Sequence, residues 1–395
     1  MRKRYTRSRS GKLVQAALVY TGEDHGIRTR DLDHDAVKVV RRLQQHGHET
    51  YIVGGAVRDL LLGKVPKDFD ISSAATPAQI RKLFRNSRVI GKRFRLVHLL
   101  FRDKVIEVST FRSLDAEGFK NVYGTVEEDV QRRDFTANAL FYNPRENTVV
   151  DFVGGVEHIR KKVLRPVIPL NRIFVEDPVR IIRAIKYAET GGFKLPWTVR
   201  RRIKVDRENM ASVPSSRMTE ELFKILNSGA AAPIIDRLLG FDAFQYVLPN
   251  PAKLAVSDRA FRDKLLARLR LLDGKRQEQG SLERKELLVY LGADYLLEFG
   301  PFENQQRIPF RDGYFAFKEF LQPVTPANRE VEGALREIFR NKGRLLREEP
   351  SEHHRSEHHR SGDEKGTAEA SRRRRRRRRG GRRRSSGEGS AVTSP

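Results

Sequence analysis

Between Thr50 and Ile71 the chain reads as a short strand, a glycine pair, a short helix and a second strand that opens on two carboxylates. No other segment restricts the possible folds as much. Thr50–Val53 is a β-branched and aromatic run of the kind that forms a buried strand. It leads directly into Gly54-Gly55, and Ala56–Leu62 reads as a helix that Gly63 stops. With no side chains at 54 and 55, backbone N–H groups can approach a phosphate, and the N-terminus of the following helix favours an anion. Arg58, one turn into that helix, can reach the same anion. A lone glycine pair is read most simply as a tight turn. Its weight here comes from standing 14 residues before Asp68.

Asp68 and Asp70 are two apart, so on a strand beginning near Phe69 both carboxylates project from one face. Like charges that close repel unless a cation sits between them, and hard divalent cations such as magnesium prefer oxygen ligands. The bland alternative is a solvated turn, because Pro66-Lys67-Asp68 is good turn chemistry. Glu107 supplies a third carboxylate. Strand alternation over residues 104–111 puts Val105, Glu107 and Ser109 on one face and Ile106, Val108 and Thr110 on the other. A glutamate in so apolar a strand is costly to bury unless paired or metal-bound; the alternative is an edge strand with Glu107 in water. Three carboxylates can hold two metal ions, which clamp the attacking and leaving oxygens in phosphoryl transfer.

Around this segment the pattern is mixed α/β. Ala36, Val39, Val40 and Leu43 give helical spacing before Gly47. Thr76-Pro77-Ala78-Gln79 is a capping box with proline at the first helical position. Residues 95–101 and 104–111 read as two strands joined at Arg102-Asp103. From about Arg165 onward only helical patterns remain, clearest in Val179–Ala188 and Met218–Leu226. The expected organisation is a flexible basic arm (1–30), an α/β head (31–164), a helical neck (165–230), a helical body (231–347) and a disordered Arg-rich tail (348–395). The tail holds a tandem Ser-Glu-His-His-Arg repeat and eight consecutive arginines, Arg372–Arg379. Such a composition cannot bury enough apolar surface to repay its ordering entropy.

The net charge of +27 has +8 in 351–395 and +6 in 1–30, leaving +13 in residues 31–350. A basic excess spread over the folded part points to a polyanionic partner, most often nucleic acid. The chain has no cysteine, which excludes disulfides, a thiolate metal site and a cysteine nucleophile, and fits a reducing compartment. No apolar run approaches a membrane span, and none follows the basic N-terminus in the manner of a signal peptide, so a cytoplasmic protein is expected.

Gly54-Gly55, Arg58-Asp59, Leu61-Leu62-Gly63 and Asp68-Phe69-Asp70 together resemble the first motif of the polymerase-β-type nucleotidyltransferases of the class II tRNA nucleotidyltransferase/poly(A) polymerase family. Three further stretches follow in the family's order. RRDFTANAL (132–140) resembles its ribose-selecting motif, EDPVRIIRAIKYA (176–188) its base-reading motif, and SSRMTEELFKIL (215–226) a later helix that supports the base reader. The resemblance implies an α/β polymerase-β-type nucleotidyltransferase head domain followed by an all-α body. It implies template-independent addition of nucleotides to RNA 3′ ends, with two magnesium ions on Asp68, Asp70 and Glu107 and ATP as substrate. Gly54, Gly55, Arg58, Arg132, Arg133, Asp134 and Asn138 would contact the ribose and phosphates, and Asp177 with Arg180 would read the base.

The chemistry of that last pair agrees. Pro178 makes Asp177 the expected helix N-cap, three residues before Arg180. A carboxylate accepts from a base amino group and a guanidinium donates to a ring nitrogen. An ordinary cap with an i,i+3 ion pair is the alternative.

Within the family, VIGKRFRLVHLLF (89–101) resembles the poly(A) branch through Gly91, Lys92, Arg93, Phe94, Arg95, Leu96 and His98. CCA-adding enzymes tend toward a Gly-Thr pair there. Lys92, Arg93 and Arg95, with Arg372, Arg373 and Arg374 of the tail, are the expected RNA contacts. The linker at 165–178 lacks a Gly-centred segment expected before the base reader. CCA addition to tRNA is the main rival, and an RNA-binding protein without catalysis a weaker one. RNA-decay proteins are possible partners; the oligomeric state is not legible in the sequence, and a monomer is assumed.

Overall fold

A computed structural model describes residues 1–7, 13–91, 96–114, 123–302, 305, 307–341 and 345–347. The head is a nine-stranded mixed sheet. Its strands are β1 (Arg2–Arg7), β2 (Leu13–Tyr20), β3 (Thr50–Val53), β4 (Asp70–Ser73), β5 (Ser87–Ile90), β6 (Leu96–Leu100), β7 (Val105–Thr110), β8 (Leu140–Asn143) and β9 (Thr148–Asp151). Across the sheet the order is β1-β2-β9-β8-β3-β4-β7-β6-β5. Every neighbouring pair is antiparallel except β4 and β7, which run parallel with Ile71 opposite Val108.

Strand alternation sorts side chains onto two faces. Ile52, Ile71, Val97, Ile106 and Val108 face the main core, where the helices His34–Gln45 and Pro77–Leu83 pack with Val40, Leu43 and Ile80. Tyr51, Val53, Phe111 and Phe141 face a smaller cluster closed by Val126 and Val130 of the helix Val126–Gln131. The expected capping box forms, with Thr76 N donating to Gln79 Oε1 at 2.8 Å. The expected hairpin forms as β6 and β7, closed where Phe101 N donates to Lys104 O at 2.9 Å.

The flexible arm expected over 1–30 is not what the structure shows. β2 pairs with β9 (Tyr20 opposite Val149) and β1 pairs with β2, so the arm extends the sheet edge. The reason is local: the basic count of the segment masks the apolar run Leu13–Tyr20, in which Ala17 and Tyr20 are buried. A short helix, Gly22–His25, follows, and Ile27 is buried behind it.

Beyond the head the chain is helical, with the neck helix Ser215–Leu226 and the body helices Ala231–Gly240, Arg259–Gln279, Arg284–Asp294, Phe310–Leu321 and Asn328–Asn341 among its elements. One small departure from an all-α body is a parallel pair of three-residue strands, Arg307–Pro309 and Leu345–Arg347. They flank the last two body helices, and Pro309 ends the first strand where the helix Phe310–Leu321 begins. Head and body pack as one unit through Glu349, and the apolar core is continuous from Val40 to Phe339. No helix among the described residues is long and apolar enough to cross a membrane.

Candidate active site

β3 leads into the helix Gly55–Leu61 through Gly54, whose φ of 70° lies in the left-handed region. A side chain at 54 would be strained by that backbone, so the glycine is required by geometry. Arg58 then points back across the site. Its Nη1 donates to Asn138 Oδ1 at 2.7 Å, its Nη2 pairs with Asp59 at 2.7 Å, and its guanidinium lies 4.9 Å from the Tyr187 ring centre.

The loop after this helix is tied to the helical part of the chain. Lys64 donates to the Thr190 carbonyl, and Lys67 Nζ to the Asn227 carbonyl at 3.1 Å. Asp68 follows in solvent and Asp70 opens β4. One residue before the Ile71–Val108 pair, Asp70 and Glu107 stand side by side on adjacent parallel strands. They share the face where the Ser72 and Ser109 hydroxyls bond at 2.8 Å, opposite the main core. The burial cost expected for Glu107 does not arise. Its side chain is 49% exposed and lies 3.2 Å from His98 Nε2 of β6.

Asp70 is reachable by water yet enclosed by protein. That partial loss of hydration, followed by repulsion from Glu107 and Asp68, pushes its pKa up to about 6, against smaller opposing effects of Arg133 and Lys224. Among the described residues no three acidic or histidine side chains form a ready-made metal cage. Asp68, Asp70 and Glu107 are instead an open array.

Gly55, Arg58, Asp68 and Asp70 line a cleft of about 650 Å³ whose far wall comes from the helical part: Lys186, Tyr187, Lys224 and Arg276. Glu221, buried, holds two of these cations, with Lys186 at 2.9 Å and Lys224 at 3.2 Å. Burial works against the Glu221 charge, but the two lysines outweigh it and keep the carboxyl below its usual range. The sequence reading did not single out Lys186, Lys224 or Arg276 as site residues. The available signal was the spacing of Arg180, Arg183 and Lys186, three apart along one helix.

The residues of 132–140 divide. Arg133 faces the carboxylates: its Nη2 donates to Asp129 at 2.8 Å and Ser72 at 3.3 Å, and its Nη1 to the Asn138 carbonyl. Arg132 faces the other way, half-buried. Burial, then the positive charges of Arg112 and Arg180, lower its pKa despite the nearby Asp129. Asp134 and Asn138 are buried at 5% and 6% exposure, with Asn138 Nδ2 donating to Asp134 Oδ1 and Arg183 paired to Asp134 at 2.9 Å. The two hold Arg58 and Arg183 in place and do not themselves face the cleft. The ribose and phosphate contacts expected of Asp134 and Asn138 fall on two buried residues that are bonded to each other, to Arg58 and to Arg183.

Asp177 does not cap the helix Val179–Gly191 through its side chain. The Arg180 amide bonds to the Asp177 carbonyl at 3.0 Å, which frees the carboxylate. Its Oδ2 accepts from Arg217 Nη2 at 2.6 Å and lies 3.8 Å from Arg180 Nε. Arg217 belongs to the 215–226 segment expected to support the base reader. Asp177 Oδ1 and Arg132 Nη1 are both buried with no hydrogen-bond partner among the described residues. Lys92, Arg93, Arg95 and Arg372–Arg374 lie outside the described residues.

Comparison with known proteins adds identity to this geometry. Residues 50–165 match the family "Poly A polymerase head domain", and residues 192–254 match "Probable RNA and SrmB- binding site of polymerase A". Poly(A) polymerase I of Salmonella typhi is 39% identical over 245 residues, covering 58% of this chain and 52% of that protein. The CCA-adding enzyme of Geobacillus kaustophilus is 34% identical over 235 residues, covering 58% of each. The chain thus spans about half the length of these relatives. Among solved structures, the Bacillus stearothermophilus CCA-adding enzyme in complex with CTP superposes with a TM-score of 0.53 at 26% identity, over 78% of this chain and 82% of that one.

Proposed function

We propose that the chain, whose residues 50–165 and 192–254 match poly(A) polymerase family models, is a member of the class II tRNA nucleotidyltransferase/poly(A) polymerase family and adds AMP from ATP to RNA 3′ ends without a template. The observation that carries this reading is the pairing of an open carboxylate array, Asp68, Asp70 and Glu107, with a cationic wall across one cleft. The donor set suits a hard divalent cation: all three groups are carboxylates, and the repulsion that raises Asp70 is what a cation between them relieves. Magnesium held there supplies charge neutralisation at the α-phosphate.

The chain's own residues do the rest. Gly54 and Gly55 let backbone approach the triphosphate at a helix N-terminus, and Arg58, braced by Asn138, orients it. The RNA 3′-oxygen bonds to the α-phosphorus, the bond to the β-phosphate oxygen breaks, pyrophosphate leaves, and the hydroxyl proton passes into the carboxylate array. Lys186 and Lys224 face the negative charge that the leaving pyrophosphate gathers. Asp177 Oδ1 accepts from the base amino group, and Arg180 with Arg132 donates to the ring nitrogen. Residues 31–164 serve as the catalytic head, 165–230 as the neck that reads the base and 231–347 as the body that holds RNA. A cytoplasmic setting among RNA-decay proteins follows from the same reading.

One observation favours a second reading. Cytosine presents the same amino donor and ring acceptor as adenine, so the Asp177–Arg180 pair suits CCA addition equally well. The segment 89–101 and the 39% relative favour ATP alone. The test supplies ATP alone and then CTP alone with a generic RNA and with a tRNA lacking its end. Long extension of both RNAs by ATP alone supports polyadenylation. Incorporation of CTP confined to the tRNA would replace it with CCA addition.

A further inference from the structure

His98 belongs to the segment 89–101, and no step of the proposed reaction uses it. β6 sets it directly opposite Glu107 of β7, with Nε2 3.2 Å from Glu107 Oε1. Opposed residues of an antiparallel pair project to one face, so the two side chains meet on the face that carries Asp70. Among the described residues Glu107 makes no other ion pair or hydrogen bond. Asp68 and Asp70 line the cleft that the helical wall closes, whereas Glu107 stands outside that lining. A glutamate also has one more rotatable bond than an aspartate. Of the three carboxylates, Glu107 therefore has the most freedom to lose if all are to meet one cation. The strand beneath it is already fixed, because the Ser109 hydroxyl donates to the Ile71 carbonyl at 3.1 Å. His98 is itself restrained: its ring is 26% exposed, and Leu96, Leu100 and Val105 share its face of the sheet.

We propose that His98 is the positioning residue of the third carboxylate. Its Nε2–H donates to Glu107 Oε1, which fixes the side chain and leaves Oε2 as the oxygen that meets a cation shared with Asp70 on the neighbouring strand. Carboxylates that bind metal need such an outer partner, because a ligand free to rotate must be ordered each time the cation binds. The ordinary alternative is a cross-strand pair that contributes only to the stability of the sheet. The inference rests on the reading of Asp68, Asp70 and Glu107 as a cation site, and it gives the histidine of the segment 89–101 a task in building that site.

Manganese(II), which takes the same oxygen ligands as magnesium, reports the site without turnover. Its free ion is counted by electron paramagnetic resonance in the presence of the full chain, with no nucleotide or RNA. Asp70→Asn sets the background from weak sites elsewhere, the histidine repeat of the tail included. Above that background, His98→Ala should bind manganese about 10- to 100-fold more weakly, the usual cost of removing the group that holds a metal ligand. His98→Gln keeps an N–H of similar reach and should recover most of the affinity. His98→Phe suits the strand but has nothing to donate, and should match His98→Ala. In EDTA all three variants should melt within about 3 °C of wild type, the scale of one cross-strand pair. In turnover the magnesium concentration for half-maximal rate should rise in step with the manganese result, with the ATP KM at saturating magnesium unchanged. Unaltered manganese affinity in His98→Ala, or equal losses in His98→Gln and His98→Phe, would overturn the assignment. If wild type binds no more manganese than Asp70→Asn, the cation site itself falls and the assignment falls with it.

Discussion

Replacing Asp70 by Asn should make the metal-free protein more stable while abolishing nucleotide transfer. The carboxylate is raised from 3.8 to about 6 by partial dehydration and by Glu107 and Asp68. At about 1.36 kcal/mol per pH unit, full conversion of that difference would give about 3 kcal/mol. Asp70 is open to solvent, and screening reduces the repulsion, so about 1 kcal/mol is the expected gain. For a unit of this size that corresponds to a Tm rise of about 1–3 °C. The sign of its pH dependence follows from linkage. Because the folded pKa is the higher one, the charged form is penalised in the folded state. Wild type therefore bears the full penalty above about 6 and sheds it as pH falls toward 3.8. The stability gap between Asp70→Asn and wild type should thus be widest at pH 7–8 and close below about pH 4. Thermal melts in EDTA across that range measure it. Magnesium should then stabilise wild type but not the variant. A variant no more stable than wild type in EDTA at pH 7.5, or one that gains equally from magnesium, would refute the assignment of Asp70 to a crowded cation site.

Asp177→Ala should lower the preference for ATP over other nucleotides by about 5- to 150-fold, matching the roughly 1–3 kcal/mol typical of bidentate base readout, with a smaller change in triphosphate affinity; competition assays with mixed nucleotides report it. Arg217→Ala should act in the same direction more weakly, because it removes the 2.6 Å contact that aims Asp177 without removing the acceptor. Asn138→Ala strands Arg58 Nη1, while Asp134 Oδ1 keeps the Phe135 amide, so it should cost about 1–3 kcal/mol in chemical denaturation and raise the KM for ATP. Truncation after Pro350 removes eleven arginines in two runs, Arg372–Arg379 and Arg382–Arg384. It should weaken RNA binding and flatten its salt slope by about 0.7 per arginine engaged, with the single-turnover rate at saturating RNA unchanged.

Those signals that are local in the chain were legible without coordinates. The turn from Thr50–Val53 through Gly54 into a helix, the capping box at Thr76 and the alternation of Val105–Thr110 each depend on neighbours within a few residues, where periodicity and backbone preference act. The side-by-side placement of Asp70 and Glu107 was legible for the same reason, since both sit at strand positions whose facing direction the pleat dictates, whereas Asp68 stands in the loop before β4. Tertiary structure decided what depends on distant partners. A count of charges could not show that Leu13–Tyr20 finds β9 about 130 residues later and becomes part of the sheet. Nor could it show that Asp134 and Asn138 turn inward, because their partners, Arg183 and Arg58, arrive from other elements. The cationic wall of Lys186 and Lys224 faces Asp70 only after the chain has closed a loop of more than 100 residues, and Arg217 reaches Asp177 across forty. Periodicity says which face of an element is apolar; only the packed arrangement says which other element covers it, and so which charges are paired inside and which are left facing a ligand.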